Sequence, residues 1–221
     1  MSGGGFKVVD LSMPIESLKT PVFPGYPQPL KATFTTKATH GYNSNVWIFV
    51  EHTSTHVDAP LHFVDGGPAI HEVPIETYVA WAAAVDLSDL PPKHVISREE
   101  LRSRVESLPV KVEAGWALML YTGYSSKAGS EEWFNHPVLS EGACDYILEL
   151  GVKAVGVDAP SPDGPPFPAH NKLLPRGVAI YENLTNLHLL VGRKFLFVGA
   201  PLKLVGATAT PVRAVAILFE G

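Results

Sequence analysis

Nine apolar runs of strand length, each closed off by Gly, Pro, Asn or Asp, restrict what this chain can fold into more than any other feature. They occupy residues 6–11, 32–36, 45–50, 83–87, 116–121, 154–157, 178–181, 194–198 and 213–218. Val, Ile and aromatic side chains are frequent in them, and such side chains fit a pleated, half-buried surface. Two segments between them carry helix signals instead. Ser97-Arg-Glu-Glu100 has the spacing of a capping box and opens a helix running to about residue 106, ahead of Pro109. A second helix starts near Ser140, carries Ala143, Ile147, Leu148 and Leu150, and stops at Gly151, a residue suited to the left-handed backbone that ends helices. The following residues 152–158 read as a buried strand. Prolines, 20 in all, gather with glycines at 21–27, 66–74 and 160–168, which rules out central strands there and predicts long loops near a functional face. No repeat or linker divides the chain. The expectation is one α/β domain over residues 1–221, with a strand-rich mixed sheet at its core and few helices.

Composition removes several classes of function. With 46% hydrophobic and 18% charged residues over 221 positions, the chain has a globular balance and enough length for a sizeable core. Its formal charge of −5 and its scattered lysines and arginines offer phosphates no basic stripe, so no nucleic-acid partner is expected. No run approaches the roughly 18–20 apolar residues of a membrane span. The start, MSGGGFKVVDL, lacks a basic stretch followed by an apolar one. A single cysteine, Cys144, cannot pair internally and demands no oxidising compartment. These readings point to a cytoplasmic protein with a small-molecule partner, in which the sequon Asn183-Leu-Thr185 is a chance match.

The densest chemistry lies in Glu51-His-Thr-Ser-Thr-His-Val-Asp-Ala-Pro-Leu-His62, which puts His52, His56, Asp58 and His62 within eleven residues. Imidazole with carboxylate suits zinc, manganese or iron better than magnesium or calcium. All four residues stand at even positions, so a continuous strand would place them on one face. Four extended residues, however, span roughly 13 Å, and two ligands of one metal must each lie within about 2.1 Å of it. A helical turn is disfavoured by Thr53, Thr55, Val57 and Pro60. The strand at 45–50 must therefore end in a sharp turn at 53–55 that folds His56 back towards His52. His56 and Asp58 then face one side of a second extended piece.

At this motif the sequence resembles the cyclase-like metal hydrolases, the family that includes bacterial kynurenine formamidase and isatin hydrolase. The family pattern His-x-Gly-Thr-His-x-Asp-x-Pro-x-His reads here His52-Thr-Ser-Thr-His56-Val-Asp58-Ala-Pro60-Leu-His62. Further likenesses are Asp10-Leu-Ser-Met-Pro14, Phe23-Pro-Gly-Tyr-Pro27, Thr122-Gly-Tyr124, Gly156-Val-Asp-Ala-Pro-Ser161, Tyr181-Glu-Asn-Leu-Thr-Asn-Leu187 and Pro211-Val-Arg-Ala-Val-Ala216. The resemblance implies a swivelling β/β/α fold, assembly as a homodimer or homotetramer, and one or two divalent ions, zinc or manganese. It implies His52, His56, Asp58, His170 and Glu182 as metal ligands and His62 as the general acid/base. Apart from the family, Glu182 closes an apolar strand, where an inward carboxylate needs a cation. His170 follows the proline-rich loop 160–168, which is stiff enough to hold a ligand in place. Two positions depart from the family. Ser54 stands where glycine is usual, so a turn of positive φ would be strained there. Tyr26 stands where kynurenine formamidases tend to have Asp, exchanging a charge for a ring at the substrate entrance.

The implied activity is of the arylformamidase type, in which a metal-activated water cleaves an aromatic amide, N-formylkynurenine, to kynurenine and formate in tryptophan catabolism. The leaving arylamine needs a proton, and His62 has the ordinary pKa to take one from water and return it to nitrogen. Phe23, Tyr26, Phe63 and Phe167, together with Trp47, flank the motifs and are candidates for an aromatic substrate pocket. The runner-up substrate is a cyclic amide such as isatin. A non-catalytic metal-binding scaffold would keep His52, His56 and Asp58 but would have no need of His62. A serine or cysteine hydrolase finds no Gly-x-Ser-x-Gly elbow and no histidine close to Cys144. The remaining histidines, 40, 71, 94, 136 and 188, read as turn, surface or packing residues.

Overall fold

Uncharged runs of Ala, Val and Leu are stable as strands only where both faces of a sheet are covered, and the middle of the sheet is where this chain puts them. A computed structural model describes residues 5–219. In chain order the elements are β1 (Phe6–Asp10), β2 (Leu30–Thr35), α1 (Lys37–His40), β3 (Ser44–Ile48), β4 (His56–Asp58), β5 (Val79–Asp86), β6 (Val95–Ile96), α2 (Arg98–Glu106), β7 (Ala117–Tyr121), β8 (Val138–Leu139), α3 (Glu141–Leu150), β9 (Ala154–Val157), α4 (Pro168–Leu173), β10 (Ala179–Glu182), β11 (Lys194–Val198), β12 (Ala209–Pro211) and β13 (Val215–Phe219). Nine strands form one mixed sheet in the order β1-β13-β11-β5-β7-β9-β10-β4-β12. The α/β class, the mixed sheet and the scarcity of helix all follow the sequence expectation.

Within this sheet β5, β7, β9 and β10 are parallel neighbours and the other pairs are antiparallel, while β6 and β8 form a separate parallel pair. Parallel neighbours need long crossovers, usually helical, and α2, α3 and α4 lie in the three crossovers. Ser97 Oγ accepts the Glu100 N–H at the start of α2, and Ser140 Oγ accepts the Ala143 N–H at the start of α3. Only half of the expected capping box forms, because the Glu100 carboxylate bonds His94 Nε2 at 2.7 Å instead of reaching back. Gly151 ends α3 with φ 68°, as its sequence position suggested.

Two apolar layers sandwich the sheet. Leu101, Val105, Ala143, Cys144 and Ile147 from the helices pack with Leu118, Val155 and Ile180 on one side. Val57, Tyr181, Phe195 and Phe197 lie in the other layer. The chain also forms elements that the periodicity does not show. Strands β4 and β12 are three residues long, too short to register as alternation. Helix α4 was hidden by the proline-rich loop before it, although Pro168 is at its first position, where a missing N–H costs nothing. Strands β2 and β3 form a separate antiparallel hairpin that pairs with no strand of the main sheet. Among the described residues, no helix is long and apolar enough to cross a membrane.

Candidate metal centre

The ligand-type residues owe their meeting to two short strands near one end of the sheet. β4 pairs antiparallel with β10, setting His56 opposite Glu182, and its other neighbour is β12. Alternation sends Val57 into one apolar layer and turns His56 and Asp58 to the opposite face. The chain reaches β4 through the turn expected at 53–55. Ser54 holds φ 59°, in the left-handed region that glycine adopts without strain. Three hydrogen bonds offset that strain. Ser54 Oγ donates to the Met13 carbonyl at 3.0 Å, and the Ser54 carbonyl accepts from His56 Nδ1 at 2.8 Å and Asn183 Nδ2 at 3.0 Å. The turn returns His52 to within 5.0 Å of His56, centroid to centroid. His170 comes from helix α4 rather than from the loop itself. Asp163 locks it in place, its Oδ2 accepting the Ala169 and His170 N–H groups and its Oδ1 accepting His170 Nδ1–H at 2.8 Å.

Five side chains converge. His52 Nδ1 is 2.9 Å and His56 Nε2 3.4 Å from Asp58 Oδ1, and His170 Nε2 is 3.6 Å from Asp58 Oδ2. Glu182 closes the ring, with Oε2 3.3 Å from His56 Nε2 and Oε1 3.4 Å from His170 Nε2. His56 and Asp58 are fully buried, yet His56 Nε2 and both Asp58 oxygens lack a properly aligned hydrogen bond. Buried polar atoms are ordinarily paired, so these three point to a missing partner. A carbonyl and a carboxylate can only accept, so the protons of His56 and His170 sit on Nδ1, and both rings turn an Nε2 lone pair inward when neutral. Nitrogen and oxygen lone pairs facing one spot, with each ring held by an outer hydrogen bond, fit a divalent transition-metal ion. Ligand atoms gather in two groups, His52–His56–Asp58 and Asp58–His62–His170, which share Asp58.

Without an ion, protons take its place. Burial alone would lower the pKa of His56, but contact with Asp58 and Glu182 raises it to about 10. Burial likewise opposes charge on His170, and its contacts with Asp163, Asp58 and Glu182 hold it well above the usual imidazole range. Asp58 and Glu182, burial notwithstanding, are held down by these histidines.

His62 differs. It ends a single 3₁₀ turn, Pro60–His62, with its ring 4.1 Å from that of His52 and 5.8 Å from that of His170. Burial, reinforced by His52 and His170 against the pull of Asp58, pushes it down to about 4. It is a neutral imidazole at pH 7. A cavity of about 190 Å³ opens above these groups, walled by Phe23, Tyr26, Phe63 and Phe167, all four of them residues proposed from the sequence. Trp47 does not join them. It sits on the outer hairpin, half-exposed, with Lys31 Nζ 5.9 Å from its ring centroid. Trp133, Ser161 and Asn183 also line the cavity; Ser161 and Asn183 belong to motifs that carry the family resemblance, whereas Trp133 had no signal in the sequence. Asn183 is buried and bonded to Ser54, so the sequon cannot be a glycan site.

Residues 9–164 match the sequence model of the Cyclase family. This chain belongs to the Cyclase family. Among Cyclase-family relatives, the kynurenine formamidase of Bacillus cereus is 33% identical over 74% of this chain and 75% of its own length. A solved isatin hydrolase, bound to the product analogue thioisatinate, superposes with a TM-score of 0.88 over 97% of this chain and 93% of that one, at 21% identity. A structure described as a potential metal-dependent hydrolase with cyclase activity superposes with a TM-score of 0.80 over 98% of this chain and the whole of the other, at 26% identity.

Proposed function

We propose that this chain is a metal-dependent amide hydrolase of the arylformamidase type, cleaving N-formylkynurenine to kynurenine and formate. The observation that carries the proposal is the set of buried, unpaired nitrogen and oxygen atoms at the foot of an aromatic-walled cavity. The B. cereus kynurenine formamidase supports the choice of substrate. His52, His56, Asp58, His170 and Glu182 would hold the ion. Their imidazole and carboxylate donors suit zinc or manganese, and one ion or two is part of the proposal, with Asp58 common to both groups of ligand-type atoms. The ion supplies Lewis acidity, polarising the amide carbonyl and acidifying the attacking water. The protein's own residues do the rest. Phe23, Tyr26, Phe63 and Phe167 hold the aromatic ring, and their apolar faces limit the access of bulk water. Neutral His62 accepts the water proton and delivers it to the departing nitrogen, since an amide anion is a poor leaving group.

One observation favours a second substrate, a neutral cyclic amide such as isatin. No lysine or arginine is among the described residues lining the cavity, so the carboxylate of N-formylkynurenine finds no lysine or arginine partner there. Assembly as a homodimer or homotetramer is part of the proposal and is supported by the β2–β3 hairpin. Its cross-strand pairs Leu30–Ile48 and Ala32–Val46, with Phe34 beyond them, form an exposed apolar face. The lone cysteine, Cys144, is buried and unpaired, which supports a cytoplasmic location. The deciding assay offers metal-loaded protein N-formylkynurenine and isatin in parallel, read by absorbance. Turnover of isatin alone shifts the assignment to the cyclic amide, and turnover of neither removes the formamidase reading. Wild type and His62→Ala, each with its metal quantified, separate enzyme from scaffold. Equal, negligible rates would mean a scaffold.

A further inference from the structure

His52 stands between two polar systems. On its inner side, Nδ1 lies 2.9 Å from Asp58 Oδ1 in a contact that is not aligned as a hydrogen bond. On its outer side, Nε2 lies 3.2 Å from Thr208 Oγ1. Thr208, just ahead of β12, is tied in turn to Glu51. Glu51 Oε2 accepts the Thr208 backbone N–H at 2.8 Å and its hydroxyl at 2.6 Å. Burial opposes charge on Glu51, and the bonds from Thr208 and Ala209 outweigh it, holding the carboxyl below its usual range.

The direction of this chain follows from what each group can give. A carboxylate has only lone pairs to offer, so the single hydroxyl proton of Thr208 goes to Glu51. The Thr208 oxygen then faces His52 as an acceptor, and His52 Nε2 must carry a proton. We propose that Glu51 and Thr208 are positioning residues whose relay commits His52 to present Nδ1, not Nε2, to the metal. His56 and His170 are set the other way, each bonded outward through Nδ1. His52 is therefore the ligand whose orientation depends on a hydroxyl supplied from 156 residues away in sequence. Without that hydroxyl the ring has no outer partner to fix its tautomer or its flip.

The inference rests on the metal reading above, and its test keeps the two apart. Protein labelled with ¹⁵N-histidine and loaded with Zn²⁺ is examined by two-bond ¹H–¹⁵N correlation, which separates metal-bound from protonated ring nitrogens. Wild type is expected to show His52 with a bound Nδ1 and a protonated Nε2. Thr208→Val, which keeps shape but removes the hydroxyl, should weaken Zn²⁺ binding roughly 10–100-fold, while Thr208→Ser stays within about threefold of wild type. A wild-type spectrum with Nε2 bound overturns the proposal, as does Thr208→Val holding Zn²⁺ as tightly as wild type. If Thr208→Val does not fold, Thr208→Ala is read in the same way, and the wild-type spectrum decides by itself. Wild type that binds no Zn²⁺ removes the metal reading as well, whereas Zn²⁺ bound through His52 Nε2 removes this inference alone.

Discussion

Metal loading of this protein should be a proton exchange. In the metal-free site His56 has a pKa of about 10, so at pH 7 its Nε2 is occupied by a proton that an entering ion must displace. Three pH units of competition weaken the apparent affinity by about a thousandfold, or about 4 kcal/mol. Contacts with Asp163, Asp58 and Glu182 also raise His170 well above the ordinary imidazole range, so between one and two protons should leave for each ion that binds. The measurement is calorimetric titration of metal-free protein with Zn²⁺ in two buffers of different ionisation enthalpy. Chelator competition between pH 6 and 8 complements it. The logarithm of the apparent binding constant should rise by one to two for each pH unit. Linkage gives a second sign. A raised imidazole pKa stabilises the fold fully below its ordinary value of 6.5, and that stabilisation is lost as pH climbs through about 10. The metal-free protein should therefore lose thermal stability in alkali. An affinity independent of pH, with no proton released, would refute the reasoning.

Three further outcomes are expected. His62→Ala should lower kcat/KM by roughly 10²–10⁴-fold with metal content unchanged, and a parallel loss of metal, measured by atomic emission, would make His62 a ligand instead. Gly199→Ala should destabilise by about 1–3 kcal/mol, because a Cβ there would lie 2.5 Å from Tyr181 Cε1 and 2.8 Å from Phe197 Cζ; an unchanged urea midpoint counts against that packing. Ser97→Ala removes the acceptor at the start of α2 and should cost about 1 kcal/mol, or about 2–4 °C in Tm, in a scanning calorimeter.

Much of this was legible in the sequence because the signals were local. The β-branched and alanine-rich runs announce the central strands, Ser97 and Ser140 announce two helix starts, and the spacing of His52 and His56 forces the turn between them. Ser54 in place of glycine signalled strain, and the left-handed backbone is there. What escaped is non-local or short. Strand β12 has three residues and exists only because β4 lies beside it. Asp163 and Thr208 are ordinary polar residues until the fold sets them against His170 and His52. Trp47 was placed with the pocket aromatics because it is near the motifs in sequence, but it is exposed on β3 and does not line the cavity.

The pairing of β4 with β10 has a consequence for how the molecule matures. Slipping one strand by a single residue would rotate His56 and Asp58 into the apolar layer and bring Val57 out in their place. Such a chain could still be compact, but it would have nothing with which to grip a cation. Since an ion stabilises only the form that binds it, metal available during synthesis would select correctly threaded copies. The same atom would then serve first as an inspector of the fold and afterwards as a reagent.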